Sequence, residues 1–260
     1  MTSAYDIAYP VSVPAPLPAP AEQPAPPRPW GFWATLGWGV LASLTSLMAT
    51  VGFMVVWMAT HGMEAPNLKD GSFITYASLI ATLAPLIVLV VAIKVRGWRL
   101  GDYLALSAPR LRDILIGIGS FALLILAFEA VALIFGLDDG SASTNETYRS
   151  AQVAGVLPLL WLSVVIVAPV GEELLFRGFL HRGWAASRLG VPATVFITAV
   201  LWALLHQQYN WLGIAVIFCM GLTLGWLRQR TGSTMLTIVL HALNNLFTMI
   251  LITAKLEWMS

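Results

Sequence analysis

The sequence predicts an all-α fold, a polytopic integral membrane helical bundle of about seven transmembrane helices, or eight if one long apolar run is split. Composition carries the first part of that expectation. Of 260 residues, 58% are hydrophobic and 10% charged, whereas a soluble domain carries about 25% charged residues. Mean hydropathy is +0.79. The second part is segmental: apolar residues fall in successive runs long enough, at about 20 residues each, to cross a hydrocarbon core. The third is the gathering of basic residues in alternate connections between those runs.

The chain opens with "YPVSVPAPLPAPAEQPAPPRPW", and nine of its fifteen prolines precede residue 30. That density precludes helix and favours an extended, disordered tail. The expected division is a Pro/Ala-rich tail over residues 1–30 and a transmembrane domain over 31–260. No basic segment followed by a short apolar one precedes the first run, so a cleaved signal peptide is not expected and the first span carries the insertion signal. The apolar runs lie near 33–60, 73–95, 114–137, 154–180, 193–210, 212–228 and 233–254.

Between them, Lys94, Arg96, Arg99, Arg110 and Arg112 fill one connection, Arg177, Arg182 and Arg188 another, and Arg228 and Arg230 a third. The alternate connections hold Lys69, Arg149 and Lys255. Basic residues accumulate on the cytoplasmic side. With Arg28, eleven of fourteen fall on one side, and the N-terminus is expected to be cytoplasmic. The net charge of +1, without a basic cluster, argues against a nucleic-acid partner. The single cysteine, Cys219, cannot form an internal disulfide and reads as a packing residue.

Ionisable groups inside spans are costly and mark functional candidates. Glu129 is isolated and reads as a packing residue. His61 and His181 fall in or near connections and read as solvated. "GLTLG", Gly221 to Gly225, has the small-residue spacing that lets helices approach closely. Three clusters differ. In "GEELLFRG", residues four apart share a helix face while neighbours diverge, so Glu173 can pair with Arg177 and Glu172 points elsewhere. "WALLHQQ" supplies His206, and "HALNN" supplies His241 and Asn245, again four apart. With interfaces at Arg182, Ala193 and Gly232, a rise of about 1.5 Å per residue puts Glu172, His206 and His241 about 15, 20 and 14 Å inward. They share a layer, provided that the fifth helix is short or tilted. Pro158 and Pro169 are candidate kinks in the fourth span.

A desolvated carboxylate is a better base than a hydrated one. Glu172 can therefore take a proton from water, with His206 orienting that water or sharing its proton. His241 and Asn245 can donate to the oxyanion of a tetrahedral intermediate. Together these suffice for peptide hydrolysis.

"EELLFR" (Glu172 to Arg177), "WALLH" (Trp202 to His206) and "HALNN" (His241 to Asn245) together resemble the motif set EExxxR, FxxxH and HxxxN of the CAAX-protease and bacteriocin-processing family, also called Abi. The resemblance covers roughly residues 155–250, with order, spacing and span placement in agreement. It implies a helical membrane core with endopeptidase activity similar to that of CAAX prenyl proteases of the Ras-converting type. It makes Glu172 the catalytic glutamate, Glu173 and Arg177 its supporting pair, His206 the partner in water activation, and His241 with Asn245 the oxyanion donors. Trp202 stands where the pattern has Phe, a departure expected to bear on substrate shape. The implied partners are membrane lipid and a peptide or membrane-anchored protein substrate, prenylated in the CAAX case.

Zn²⁺ is the metal that Glu172, His206 and His241 could hold while leaving a position for water. The motif lacks a His-x-x-x-His pair, and Asn is a poor zinc ligand, so a metal-free resting site is expected. Two other readings remain. A proton-coupled transporter would also carry Glu and His at mid-membrane, although no internal repeat of the motif region stands out. A non-enzymatic membrane partner of the bacteriocin-immunity or scaffolding type would not need Glu172 as a base.

Overall fold

The computed structural model describes residues 27–63, 66–67, 69–137 and 142–258. The tail expected over residues 1–30 lies almost wholly outside them. The described residues form helices and connecting turns, with no strand among them. They are α1 (Phe32–Thr60), α2 (Gly71–Val95), a short α3 (Leu100–Tyr103), α4 (Leu111–Phe135), α5 (Ala142–Val153), α6 (Leu157–Ala185), α7 (Gly190–Leu204), α8 (Trp211–Thr231) and α9 (Thr234–Trp258).

Six of these, namely α1, α2, α4, α6, α8 and α9, are long and apolar enough to cross a bilayer. The seventh apolar run forms the shorter α7, and the chain is a multi-pass membrane bundle. Its outward faces stay apolar, as lipid requires: Leu133 and Phe135 on α4 are exposed. α7 has only 15 residues. At about 22 Å it falls short of a hydrocarbon core of about 30 Å. Its helix ends at Leu204, and the remainder of the expected run, through Asn210, is a turn that carries His206. Asn210 Oδ1 then accepts from Gly213 N at 2.9 Å and starts α8.

Local chemistry sets the other boundaries. Asp70 Oδ1 caps α2 by accepting from Phe73 N at 2.8 Å. Gly136 (φ 61°) and Gly232 (φ 69°) end α4 and α8 in the left-handed conformation. Inside α2, Pro85 cannot donate to Ala81 O. Ser46 on α1 supplies the missing donor, its hydroxyl donating to Ala81 O at 2.7 Å, which ties α1 to α2 at mid-span.

α5 arises from "ASTNETYRSAQV", where the apolar periodicity expected of a span is absent. It is anchored instead by the polar bond from Gly71 N to Ser150 Oγ, 2.7 Å, and by Tyr148 and Ala151 packed with Leu160, Met249 and Ile252. The main core lies where α2, α4, α6, α7, α8 and α9 meet, around Leu89, Ile93, Phe179, Trp202, Leu224 and Leu240. The Gly221 to Gly225 pair performs as expected. A Cβ on Gly221 would lie 3.0 Å from Ala199 Cβ, and one on Gly225 would lie 2.8 Å from a Val195 methyl, so α8 seats directly on α7.

Two single-residue expectations do not hold. Glu129 is exposed on α4 and not packed. His181 is buried at 3% exposure: α6 continues unbroken to Ala185, so His181 lies inside a helix and not in a connection.

Candidate active site

The site is built on irregularities in α6. Segments Ser163–Val167 and Leu174–Leu180 are wound as π-helix, a feature that concentrates at functional sites. The first has a readable cause. Ala168 N donates to Ser163 O, five residues back. In that register the next donor, for Val164 O, would be Pro169, which has no N–H. Asn245 Nδ2 supplies the missing bond at 2.9 Å. At the second segment, Arg177 O accepts from Arg228 Nε at 3.0 Å and from Thr234 Oγ1 at 3.4 Å. Pro158 only opens α6, at its first turn.

Between the two π segments lie the adjacent glutamates, and the structure separates them. Glu173 is fully buried. Its Oε1 accepts from Arg177 Nη1 at 2.7 Å and faces His241 Nδ1 at 3.1 Å. A carboxylate can only accept, so Nδ1 carries the proton and Nε2 of His241 is left for other partners. Arg177, also fully buried, reaches Gly221 O through Nη2 at 3.2 Å. The pattern of basic residues along the chain assigns Arg177 and Arg228 to cytoplasmic connections; both are instead buried in helices, Arg177 paired with Glu173 and Arg228 donating to Arg177 O and Thr234 Oγ1.

Glu172 faces the other way. It lines a cavity of about 410 Å³ with Ser43, Ser46 and Thr50 of α1, Thr82 and Pro85 of α2, and Leu205 after α7. A mostly apolar cavity of about 380 Å³ adjoins it and shares Ser43, Leu47, Leu175, Phe176 and Leu205.

Trp202, 2% exposed, joins the two groups. Its indole Nε1–H donates to Glu172 Oε2 at 2.5 Å. The Arg177 guanidinium sits over its ring at 4.6 Å. The rings of His206 and His241 each approach edge-on, with centroids at 5.2 Å. Its carbonyl accepts from His206 Nδ1 at 2.9 Å, which leaves His206 Nε2 without the proton. Glu172, His206 and His241 thus converge on one side chain. Asn245 lies one turn beyond His241, with its amide on Val164 O. Among the described residues no three His, Cys, Asp or Glu side chains are grouped to hold a metal ion. In Glu172, His206 and His241, the set that could hold zinc, Trp202 Nε1, Trp202 O and Glu173 Oε1 engage one polar atom each and leave the second for another partner.

Residues 154–247 match the family described as Type II CAAX prenyl endopeptidase Rce1-like. That segment, a little over a third of the chain, is similar to the Rce1-like family. The family is one of endopeptidases, and all six site residues named from the sequence fall inside the match. An uncharacterized 24.3 kDa protein of Escherichia coli is 37% identical over 89 residues, which is 32% of this chain and 39% of that protein. The UPF0177 protein YxdF of Lactococcus lactis is 27% identical over 109 residues, 41% of this chain and 58% of that protein. The chain therefore spans less than two thirds of either relative. No solved structure matches it.

Sequence reasoning passed over Trp202 as a joining element and Arg228 as a buried strut. The signal for Trp202 was its departure from Phe. For Arg228 it was an arginine seven residues after Gly221, on a helix whose glycine face is packed.

Proposed function

We propose that this Rce1-like chain is a membrane-embedded endopeptidase in which Glu172 activates the water that attacks a peptide carbonyl. The observation that carries this reading is the division between neighbours: Glu172 faces a cavity, while Glu173 is sealed against Arg177 and His241. A base must reach water; a structural charge must not. His206, with Nδ1–H held by Trp202 O, offers Nε2 to the same water and can accept its proton.

We assign Asn245 and His241 as the oxyanion donors, His241 as imidazolium, because its Nδ1–H is already given to Glu173 and only a protonated Nε2 can donate. Glu173 stands behind His241 and offsets positive charge that gathers on its ring. At rest Asn245 donates one amide hydrogen to Val164 O, which leaves its second amide hydrogen for a substrate oxygen. The proton taken from water passes to the departing amine, which completes hydrolysis.

We also place the N-terminus on the cytoplasmic side, with the Pro-rich tail over residues 1–30 leading into a transmembrane domain whose catalytic part lies at about 155–250. With the buried Arg177 and Arg228 set aside, nine of the remaining twelve basic residues lie on that side. The substrate class is a peptide or membrane-anchored protein entering from lipid, and the apolar cavity next to Glu172 suits apolar groups flanking the scissile bond. Catalysis is assigned to the protein's own groups without zinc.

The test uses purified protein in nanodiscs with a membrane-anchored reporter peptide, mass analysis of fragments, and exhaustive chelation with Zn²⁺ re-addition. Specific fragments that persist after chelation support the reading. Absence of fragments overturns the endopeptidase, and activity lost on chelation and restored by Zn²⁺ alone overturns the metal-free mechanism.

A further inference from the structure

Trp202 replaces the Phe of the motif pattern, and the two differ in one capacity that matters at this site: indole carries an N–H donor and phenyl does not. In this chain that donor is spent on the proposed base, at 2.5 Å from Glu172 Oε2. We infer that Trp202 is a positioning residue for Glu172, holding one carboxylate oxygen so that the other faces the cavity and the water within it. The inference rests on the endopeptidase reading for its catalytic half and on geometry alone for the contact.

The indole is well placed to be rigid. It is 2% exposed, capped on one face by the Arg177 guanidinium at 4.6 Å, and bounded at its edges by the His206 and His241 rings. A Cβ on Gly221 would come within 3.2 Å of Trp202 Cε3, so the glycine is what admits the larger ring beside α8. Each contact restrains a ring that in turn restrains Glu172. A carboxylate on a flexible side chain loses rate through wrong orientations, and a fixed donor to one oxygen removes them before substrate arrives. The substitution therefore bears on the chemistry of the base, not only on the shape of the substrate.

Trp202→Phe tests the effect, since it keeps an aromatic ring among Arg177, His206 and His241 and removes the N–H together with the five-membered ring that carries it. In protein labelled with ¹⁵N at its tryptophan indoles, the Trp202 N–H resonance is identified by its loss in Trp202→Phe. It should lie downfield as a hydrogen bond to carboxylate requires, and move upfield in Glu172→Gln but not in Glu129→Gln. With the reporter peptide, Trp202→Phe should lower kcat about 10-fold with KM within about twofold, the pattern of lost transition-state positioning.

An indole resonance unmoved by Glu172→Gln, or a folded Trp202→Phe enzyme with the kcat of the parent, would overturn the inference while leaving the endopeptidase standing. A resonance that moves in a protein cleaving no peptide would overturn the endopeptidase, and with it the catalytic half. Should Trp202→Phe fail to fold, the Glu172→Gln comparison of indole resonances still decides the contact.

Discussion

Arg177→Ala should destabilise the fold far more than it alters access to the site. Arg177 and Glu173 are both fully buried, and their 2.7 Å bond is the only ion pair to a permanently charged partner that Glu173 makes among the described residues. Removing the guanidinium strands a carboxylate in low dielectric with His241 and the Thr237 hydroxyl left beside it. It also removes the donor to Gly221 O and the cation over Trp202. Breaking a buried pair in this way costs about 3 to 5 kcal/mol. For a chain of this size that corresponds to a fall in Tm on the order of 10 °C. Differential scanning fluorimetry in detergent measures it, and Arg177→Ala combined with Glu173→Gln supplies the control. Because the penalty is the orphaned charge, the double variant should recover at least half of the lost stability. An Arg177→Ala protein as stable as the parent, or a double variant no better than the single, would refute the pairing as the reason for the motif's arginine.

Asn245→Ala removes the donor to Val164 O and should cost about 1 to 3 kcal/mol in thermal stability; Pro169→Ala in that background returns a backbone N–H to the gap and should restore part of it. Burial pushes the Tyr103 phenol up to about 12, above the value near 10 of an unfolded chain. The folded state therefore keeps that proton between the two values, so stability is level below about pH 10 and falls as pH rises above it. Tyr103→Phe should lessen that fall in denaturation curves taken at successive pH. Once Cys219 is replaced, cysteines at Arg182 and Arg230 should react with a membrane-impermeant maleimide from the cytoplasmic face only, and labelling from outside would invert the topology.

Much of the molecule was legible because bilayer physics leaves a strong trace. A span must be apolar over its whole length, so six long helices and a seventh short one stand out from composition alone. α5 did not, because its stability comes from Ser150 and Tyr148 meeting residues distant in sequence, and its own pattern is polar all round. Within the site, spacing of four residues was enough to pair Glu173 with Arg177. The π segments were not legible: their register depends on Pro169 acting together with an amide 76 positions later, Asn245. His181 was not legible either, since it lies where α6 packs closely on α1, with Gly183 against Thr35 and Leu180 against Gly39, and not where the helix ends. The role of Trp202 required coordinates, because nothing in "WALLH" says where an indole N–H will point.

The central claim is that Glu172, and not its neighbour, is the base. The most direct measurement is the single-turnover rate of reporter-peptide cleavage in nanodiscs by Glu172→Gln protein, with its melting curve recorded on the same preparation. Glutamine keeps the size of the side chain and can still accept from Trp202, but it cannot take a proton from water. The account predicts a melting curve matching that of the parent and cleavage at least about 1,000-fold slower. Cleavage at the parental rate by a folded Glu172→Gln protein would contradict it and remove Glu172 from the chemistry.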